Sequence, residues 1–188
     1  MQIDYLGYLP DRFKAAAIQL YFDALEDELG PILGDIVKAQ DVMESDLASD
    51  QCLVAICGQK LVGVLGIQTH RRRFFHPPLS RFIQAYGLLD GVLRMAGLAM
   101  LHHKTGPDEM YVDGIAVAEE MRGRTIGTQL LNELQRVASD RAIRRISLDV
   151  VDSNPRAKAL YERLGFVATR QRSIWPLNWF FRFPFRSA

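Results

Sequence analysis

The sequence predicts a single α/β domain, and three observations support that fold class. The chain has 188 residues, which is the usual size of one domain and enough to bury a core without disulfide or metal crosslinks. Its apolar fraction of 48% and charged fraction of 24% are those of soluble globular proteins. Strand-like and helix-like segments alternate through the second half in the order βαβα, which is typical of α/β folds. We therefore predict one domain over residues 1–188.

Five elements are predicted before residue 70. Pro10 ends a weakly alternating segment, and Gly30-Pro31 follows a segment whose apolar residues recur at helical spacing. Asp41 and Glu44 have the spacing of a capping box at a helix start. Two β-rich runs then flank a connection of hairpin length. The predicted elements are a strand over residues 2–9, a helix over 12–29, a short helix over 41–49 and strands over 52–57 and 61–69.

Residues 70–108 are predicted to form a helical insertion between strands. The segment begins with the basic run Arg71-Arg72-Arg73 and continues into an apolar stretch from Phe82 to Leu101. Asp90 and Arg94 lie near the middle of that stretch, whose length would barely cross a bilayer. We therefore expect a helix that is buried against the domain or a second subunit, and no membrane span.

The second half of the chain contains the βαβα pattern and an aromatic tail. The predicted elements are a strand over residues 111–117, a helix over 127–141, a strand over 145–151, a helix over 155–164 and two short strands within 166–185. The tail from Trp175 to Phe185 is unusually rich in large apolar side chains. It is expected to be a final strand packed on the core or a contact between subunits.

Charge balance and the cysteine and histidine content argue against several classes of protein. Lys and Arg number 23 against 22 acidic residues, so the net charge of +1 gives no reason to expect a nucleic acid partner. Cys52 and Cys57 lie in an apolar strand and are expected to be small buried side chains, not a disulfide or a metal pair. His102-His103 lacks metal-ligand spacing to other side chains, so no metal is predicted. The N-terminus has no signal-peptide pattern, and a cytoplasmic location is expected.

The segment with the most chemical information runs from Tyr111 to Thr128. A strand leads through a turn rich in glycine and arginine into a helix. Such a turn directs backbone N–H groups and the positive end of the helix to one point, which suits a pyrophosphate. The residues of the predicted turn are Arg122, Gly123, Arg124, Thr125, Ile126, Gly127 and Thr128.

A second segment, from Ile146 to Phe166, makes the first one specific. It contains a strand, Asn154, a short helix that carries Tyr161, and Leu164-Gly165-Phe166. Together the two segments resemble the GNAT family, whose acyl-CoA signature is Q/R-x-x-G-x-G/A after a strand, followed by a strand, an Asn, a helix with a Tyr, and Leu-Gly-Phe. The resemblance implies a mixed central sheet with splayed neighbouring strands, helices on both faces, and acetyl-CoA as co-substrate.

The resemblance also implies a role for each matching residue. Backbone groups of Ile115, Ala116 and Val117 would bind the pantetheine arm, and the N–H groups of residues 122–128 would bind the pyrophosphate. Asn154 and Ala157 would contact the pantetheine, and Tyr161 would protonate the leaving thiolate as general acid. Thr125 stands where the family usually has its first motif glycine, and as a threonine it is expected to keep a negative φ.

The general base is left open between several groups. In a regularly alternating strand Tyr111, Asp113 and Ile115 would share one face, so Asp113 could point at the thioester. Family members often carry the base at positions that match Tyr111 or Asp113. Asp149, on the next strand, is a poorer candidate, and a water relay would need none of these residues. Asp113 is the predicted base.

These observations predict an N-acetyltransferase that transfers an acetyl group directly from acetyl-CoA to a primary amine of a small molecule or peptide. The alternative is a non-catalytic acyl-CoA-binding module of the same fold, acting in sensing or partner binding. A homodimer is a further possibility, because the insertion and the tail are both apolar. A nucleic acid partner is disfavoured, because no reader motif accompanies the arginine clusters.

Overall fold

A computed structural model describes residues 2–34, 36–101 and 103–171, and it divides the chain into two compact units. The first unit spans residues 1–148 and the second begins at Asp149. The aromatic tail and its predicted strands lie outside the described residues, except for residues 166–171. The prediction of one domain over residues 1–188 remains a prediction.

The described residues contain five strands and seven α-helices in mixed order. The strands are β1 (Asp4–Leu6), β2 (Cys52–Cys57), β3 (Lys60–Gln68), β4 (Glu109–Val117) and β5 (Arg145–Leu148). The helices are α1 (Lys14–Ala24), α2 (Glu26–Leu33), α3 (Ile36–Met43), α4 (Leu79–Tyr86), α5 (Leu88–Leu101), α6 (Ile126–Asp140) and α7 (Pro155–Arg163). The predicted insertion over residues 70–108 thus contains α4 and α5.

The strands form one mixed sheet in the order β1-β2-β3-β4-β5. The first four strands pair antiparallel, and β5 pairs parallel with β4. Helix α6 connects the two parallel strands, as a βαβ unit requires. The predicted α/β class with a mixed sheet is therefore confirmed.

Helices cover both faces of this sheet. A Cβ atom at Gly63 of β3 would lie 3.0 Å from Ile126 of α6. A Cβ atom at Gly114 of β4 would lie 2.5 Å from the Tyr21 hydroxyl of α1, on the other face. Glycine at position 114 thus leaves room for the Tyr21 and Leu25 side chains, which a larger residue would force to move.

Strand β4 contains a bulge that the sequence analysis did not predict. Val112 pairs with Ile67 and Gly114 pairs with Gly66, so Asp113 is an extra residue without a partner on β3. A bulge bends its strand and redirects side chains. The alternation of side chains along β4 is therefore interrupted at Asp113.

The first helices differ from their predicted bounds. The single helix predicted over residues 12–29 breaks at Leu25, and the following helix α2 continues through Gly30-Pro31 to Leu33. The short helix predicted over residues 41–49 lies earlier, at Ile36–Met43. Helix boundaries of this kind depend on packing against the sheet more than on helix propensity.

The insertion buries only part of its apolar surface within the chain. Phe82 and Leu98 are buried, whereas α5 exposes an apolar stripe that includes Leu89, which is 86% exposed. The other members of this α5 stripe are Leu88, Val92, Leu93 and Met100. Among the residues that the structure describes, no helix has the length and apolar character needed to span a bilayer.

Candidate active site

Among the described residues of the first unit, the C-terminal half of β4 has an open edge. Residues 114–117 pair with β3 on one side, whereas β5 pairs only with residues 109–112 of the same strand. Within the first unit, no strand pairs with the other side of residues 113–117. An edge with unpaired N–H and C=O groups can bind an extended ligand as an added strand.

The direction of the backbone groups along this edge follows from one hydrogen bond. The N–H of Ala118 donates to the carbonyl of Val62 on β3, with a distance of 3.0 Å. Backbone groups of successive residues point to opposite sides of a strand, so those of Ala116 also face β3. The backbone groups of Ile115 and Val117 therefore face the open edge, and those of Ala116 face β3. Pantetheine binding at these residues stays a prediction.

A basic turn follows the open edge directly. The Nε atom of Arg122 donates to the carbonyl of Val117 at 3.3 Å and so ties the turn to the strand. Gly123 has a φ of +76°, and an added Cβ would meet no atom within 4 Å. This turn thus combines positive charge with an accessible backbone.

Thr125 adopts a left-handed conformation, with φ +63° and ψ 6°. The expectation of a negative φ at this residue was wrong. For a β-branched residue this conformation costs about 1–2 kcal/mol, because Cβ crowds the carbonyl oxygen. The hydroxyl donates to the carbonyl of Arg124 at 2.7 Å and does not cap α6.

The N-terminus of α6 is suited to an anion. Its first backbone hydrogen bond joins the N–H of Gln129 to the carbonyl of Thr125 at 2.9 Å. The N–H groups of Ile126, Gly127 and Thr128 precede this bond and have no acceptor within the helix. The first turn of α6 contains no acidic residue, and the N-cap residue makes no side-chain hydrogen bond to it. Helix N-termini of this kind can bind an anion, and phosphate binding at this turn stays a prediction.

Asp113 lies in the bulge, next to the open edge. Burial raises the pKa of Asp113 to about 6, and the positive charge of Arg73 opposes that rise. A carboxylic acid with a pKa near 6 is mostly ionised at pH 7 and is more basic than an ordinary aspartate. Its position and pKa suit a general base.

Tyr111 does not share a face of β4 with Ile115. Tyr111 pairs with Gln68 and Ile115 pairs with Leu65, and these two β3 residues lie on opposite faces because they are three positions apart. Tyr111 is buried and stacks on His103, with ring centroids 4.6 Å apart. The predicted common face fails because the bulge at Asp113 interrupts the alternation.

The second unit contains the remaining predicted residues. Asn154 caps α7, because its Oδ1 atom accepts a hydrogen bond from the N–H of Ala157 at 3.1 Å. Tyr161 is buried, and its ring meets the ring of Phe166 edge-on with centroids 6.0 Å apart. Asp113, Ile115 and Arg122 lie in the first unit, whereas Asn154 and Tyr161 lie in the second.

Two features near Asp113 were missed from the sequence. Arg73 was noted only as part of the basic run Arg71-Arg72-Arg73, yet its charge acts on Asp113. The bulge itself was also missed, although glycines inside two neighbouring strands, Gly66 and Gly114, are a recognised sign of a bulge or a close approach. The glycines could have signalled the bulge, whereas nothing local distinguishes Arg73 from Arg71 and Arg72.

The fold and the site define an α/β protein that presents an open strand edge beside the uncapped N-terminus of a helix. Within that class, the chain belongs to the acetyltransferase (GNAT) family, whose model matches residues 16–166. The matched range includes all the predicted site residues. The resemblance drawn from the two sequence segments is confirmed.

One relative and two solved structures illustrate the match. A thialysine N-epsilon-acetyltransferase of Bos taurus is 31% identical over 104 residues, which are 54% of this chain and 61% of the relative. The chain thus spans less than two thirds of that relative. An N-acetyltransferase from Staphylococcus aureus Mu50 is 19% identical, with a TM-score of 0.65 over 93% of this chain and 95% of the other. An aminoglycoside N-acetyltransferase, AAC(6')-Iy, in complex with CoA is 14% identical, with a TM-score of 0.56 over 93% of each chain.

Proposed function

We propose that this protein is an N-acetyltransferase that transfers the acetyl group of acetyl-CoA directly to a primary amine. One observation carries the proposal. The open edge of β4 leads into a basic turn and an uncapped helix N-terminus, so a single continuous segment offers partners to both the pantetheine and the pyrophosphate of CoA. Family membership supports the same assignment.

Acetyl-CoA would supply an activated thioester, and the chain would hold it by backbone groups. Ile115 and Val117 offer the outward N–H and C=O groups of β4 to the pantetheine amides. The N–H groups of residues 126–128 bind the pyrophosphate, and the guanidinium groups of Arg122 and Arg124 add positive charge. Because the Asn154 Oδ1 atom caps α7, its Nδ2 group is the donor for the pantetheine.

The proposed reaction needs one base and one acid. Asp113 removes a proton from the acceptor ammonium, and the free amine attacks the thioester carbonyl. The C–S bond breaks as the C–N bond forms, and Tyr161 donates its phenolic proton to the CoA thiolate. The acylated nitrogen then loses its second proton, which returns to the Tyr161 phenolate and leaves a neutral amide. A phenol with a pKa near 10 is a suitable donor to a thiolate.

A covalent acyl-enzyme is not part of this proposal. Cys52 is buried, and burial raises the pKa of its thiol to about 12. Its Sγ atom donates to the carbonyl of Ser49 at 3.3 Å. A thiol in that state is a weak nucleophile at neutral pH, which supports direct transfer in a ternary complex.

The acceptor is proposed to be a primary amine on a small molecule or a peptide. The relative from Bos taurus takes its name from thialysine, which is an amino acid with a side-chain amine. Thialysine is therefore the first acceptor to test, followed by amino acids, peptide N-termini and aminoglycosides. CoA release would be followed with a thiol reagent. Release with one of these amines would support the enzyme, and tight acetyl-CoA binding with no release across the panel would favour the non-catalytic alternative.

The phosphate site is tested by Gly127→Glu. The new carboxylate would lie at the helix N-terminus against the phosphates, and we expect the acetyl-CoA Kd to rise at least tenfold in calorimetry. Gln135→Glu adds the same charge at an exposed position in the middle of α6 and serves as the control. Equal Kd values for the wild type and a folded Gly127→Glu protein would refute the phosphate assignment.

The general acid is tested by Tyr161→Phe. The phenyl ring occupies nearly the same space, so only the proton donor is lost. We expect kcat to fall about 10- to 100-fold, the lower part of the range for acid catalysis, because a thiolate is already a tolerable leaving group. The acetyl-CoA Kd should not change. A kcat within twofold of wild type would assign Tyr161 to packing.

A cytoplasmic location and a homodimer are further parts of the proposal. The exposed apolar stripe of α5 is the surface that supports self-association. Sedimentation of the wild type and of a Leu89→Ser variant would test the dimer. A monomer at high concentration in both would remove it.

A further inference from the structure

Helices α4 and α5 form a tight hairpin that acts as one packed unit. Gly87 joins them with a φ of +82°, and a Cβ atom at Gly91 would lie 2.7 Å from the backbone of Phe82. Glycine at position 91 thus allows the two helix backbones to approach closely. Phe82 is fully buried at this contact.

Two side chains of the hairpin bind the C-terminus of α2. Arg94 donates through one terminal nitrogen to the carbonyl of Ile32, and the Tyr86 hydroxyl donates to the carbonyl of Leu33. Carbonyls in the last turn of a helix lack N–H donors within it, so these bonds complete α2. Tyr86 and Leu33 are 53 positions apart in the chain, and Arg94 and Ile32 are 62 positions apart.

The Arg94 side chain is held in a fixed position. Its Nε atom donates to Asp90 at 2.8 Å, and its guanidinium lies 4.5 Å from the centre of the Tyr86 ring. A planar group with several donors can make these three contacts at once, which a lysine ammonium cannot. Its side chain is 22% exposed.

Helix α2 is linked through Leu25 to the end of α1, which reaches the bulge. A Cβ atom at Gly114 would lie 2.5 Å from the Tyr21 hydroxyl and 2.7 Å from Leu25, so both side chains contact β4 beside Asp113. These contacts lie on the sheet face opposite α6 and its phosphate-binding turn. The end of α1 therefore contacts β4 at the residue that follows Asp113 in the bulge.

We propose that Arg94, together with Tyr86, is a positioning residue for the acceptor: it holds α1 and α2 against the bulge and so sets acceptor binding without affecting acetyl-CoA. This inference rests on the proposed function. It predicts that the hairpin and the phosphate turn control the two substrates separately.

Arg94→Gln is the principal test, with Arg136→Gln as the matched control. Arg136 is likewise held by several side-chain contacts, here with Glu133 and Asp140, but it lies on the exposed face of α6. With the amine found by the acceptor panel, we expect Arg94→Gln to raise the acceptor KM about 5- to 20-fold. The KM and the calorimetric Kd for acetyl-CoA should stay within twofold of wild type. Arg94→Lys should recover only part of the loss.

A second measurement needs no acceptor. In ¹⁵N-labelled protein, Arg94→Gln should shift the amide resonances of Tyr21 and Gly114, and Arg136→Gln should not. Tyr86→Phe keeps the ring and removes one donor, so it should shift the same resonances less and replaces Arg94→Gln if that variant does not fold.

The outcomes separate this inference from the proposed function. Unchanged Tyr21 and Gly114 resonances would overturn the inference even if the enzyme is active. Equal rises in the KM values for acceptor and acetyl-CoA would also overturn it, because they would indicate general loosening. If no amine on the panel is acetylated, the proposed function fails, and the resonance shifts still decide whether Arg94 positions the bulge.

Discussion

The two halves of β4 each carry one acidic residue, and the surroundings shift the pKa values of these two residues in opposite directions. Glu109 lies in the half of β4 that pairs with β5. Asp113 directly follows the last β4 residue that pairs with β5. Burial acts to raise the pKa of Glu109, but hydrogen bonds from Ser147 at 2.5 Å and from the Gly106 N–H at 3.0 Å, with the charge of His103, lower it overall. Burial dominates at Asp113, and its pKa rises to about 6.

This comparison shows that donors, and not burial alone, decide the charge state of a carboxylate in this sheet. The Glu109 cluster, which we define as Glu109, Ser147, Gly106 and His103, stabilises an ionised side chain and joins the end of the insertion to β4 and β5. At Asp113 the charge of Arg73 opposes the effect of burial without overcoming it, so ionisation carries a cost in the folded state. Such a cost is common at catalytic carboxylates.

The largest expected effect follows from Asp113→Asn. If Asp113 is the base, kcat/KM should fall about 100- to 10,000-fold, because the amide cannot accept the proton.

The same substitution should increase the stability of the fold. The folded pKa of about 6 exceeds the usual 3.8, so ionisation destabilises the wild type increasingly between pH 4 and pH 6 and fully above that range. The variant should therefore gain up to about 3 kcal/mol in urea unfolding at pH 7 and little at pH 4.

Asp140→Asn, at an exposed position on α6, is the control for this substitution. Activity within a few-fold of wild type in Asp113→Asn would transfer the base role to Tyr111 or to a water relay. Equal stability at pH 7 and pH 4 would show that the Asp113 pKa is ordinary, and the contrast with Glu109 would then fail.

Glu109→Gln should produce the opposite pH dependence. The folded pKa of Glu109 lies below its usual 4.5, so its charge contributes stability at neutral pH that is lost as the pH falls through the folded pKa. We expect a loss of about 1–3 kcal/mol at pH 7, because charged hydrogen bonds are removed, and a much smaller loss at pH 3. Ser147→Ala removes one donor and should give part of the loss. A pH-independent loss would assign Glu109 to packing.

Thr125→Gly should stabilise the protein by about 1 kcal/mol, because glycine adopts a positive φ without the crowding of Cβ. Acetyl-CoA binding should be kept or tightened. Ala142→Gly is a matched control, because Ala142 also has a positive φ of +53° and lies beyond the end of α6. It should give a similar stabilisation in thermal unfolding without a change in Kd. Loss of acetyl-CoA binding in a folded Thr125→Gly protein would identify the hydroxyl as a phosphate ligand.

Arg73→Gln should have the smallest effect. The positive charge of Arg73 lowers the pKa of Asp113, so its removal should raise that pKa further, by less than about one pH unit. The acid limb of the pH profile of kcat/KM should move upward by the same amount. Arg71→Gln removes an exposed neighbour from the same basic run and should leave the profile in place. A downward shift with Arg73→Gln would contradict the assigned interaction.

The sequence by itself determined the elements whose signals are local. The hairpin of β2 and β3, the start of α6 after a basic turn and the start of α7 at Pro155 each follow from residues within a few positions of one another. The order of these segments and the residues that match the family pattern were sufficient for the fold class and the family. Such signals depend on short-range periodicity and on residues at helix ends, and neither requires tertiary contacts.

Only the tertiary structure decided the features that set the chemistry. The bulge at Asp113 exists because β3 and β4 change register by one residue, and register is a property of two strands. The positive φ of Thr125 arises because the turn must close between β4 and α6, which overrides the preference of a β-branched residue. The effect of Arg73 on Asp113 likewise depends on a packing arrangement that brings together residues 40 positions apart in the sequence. Electrostatic environment and strand register are long-range quantities, so no local pattern contained them.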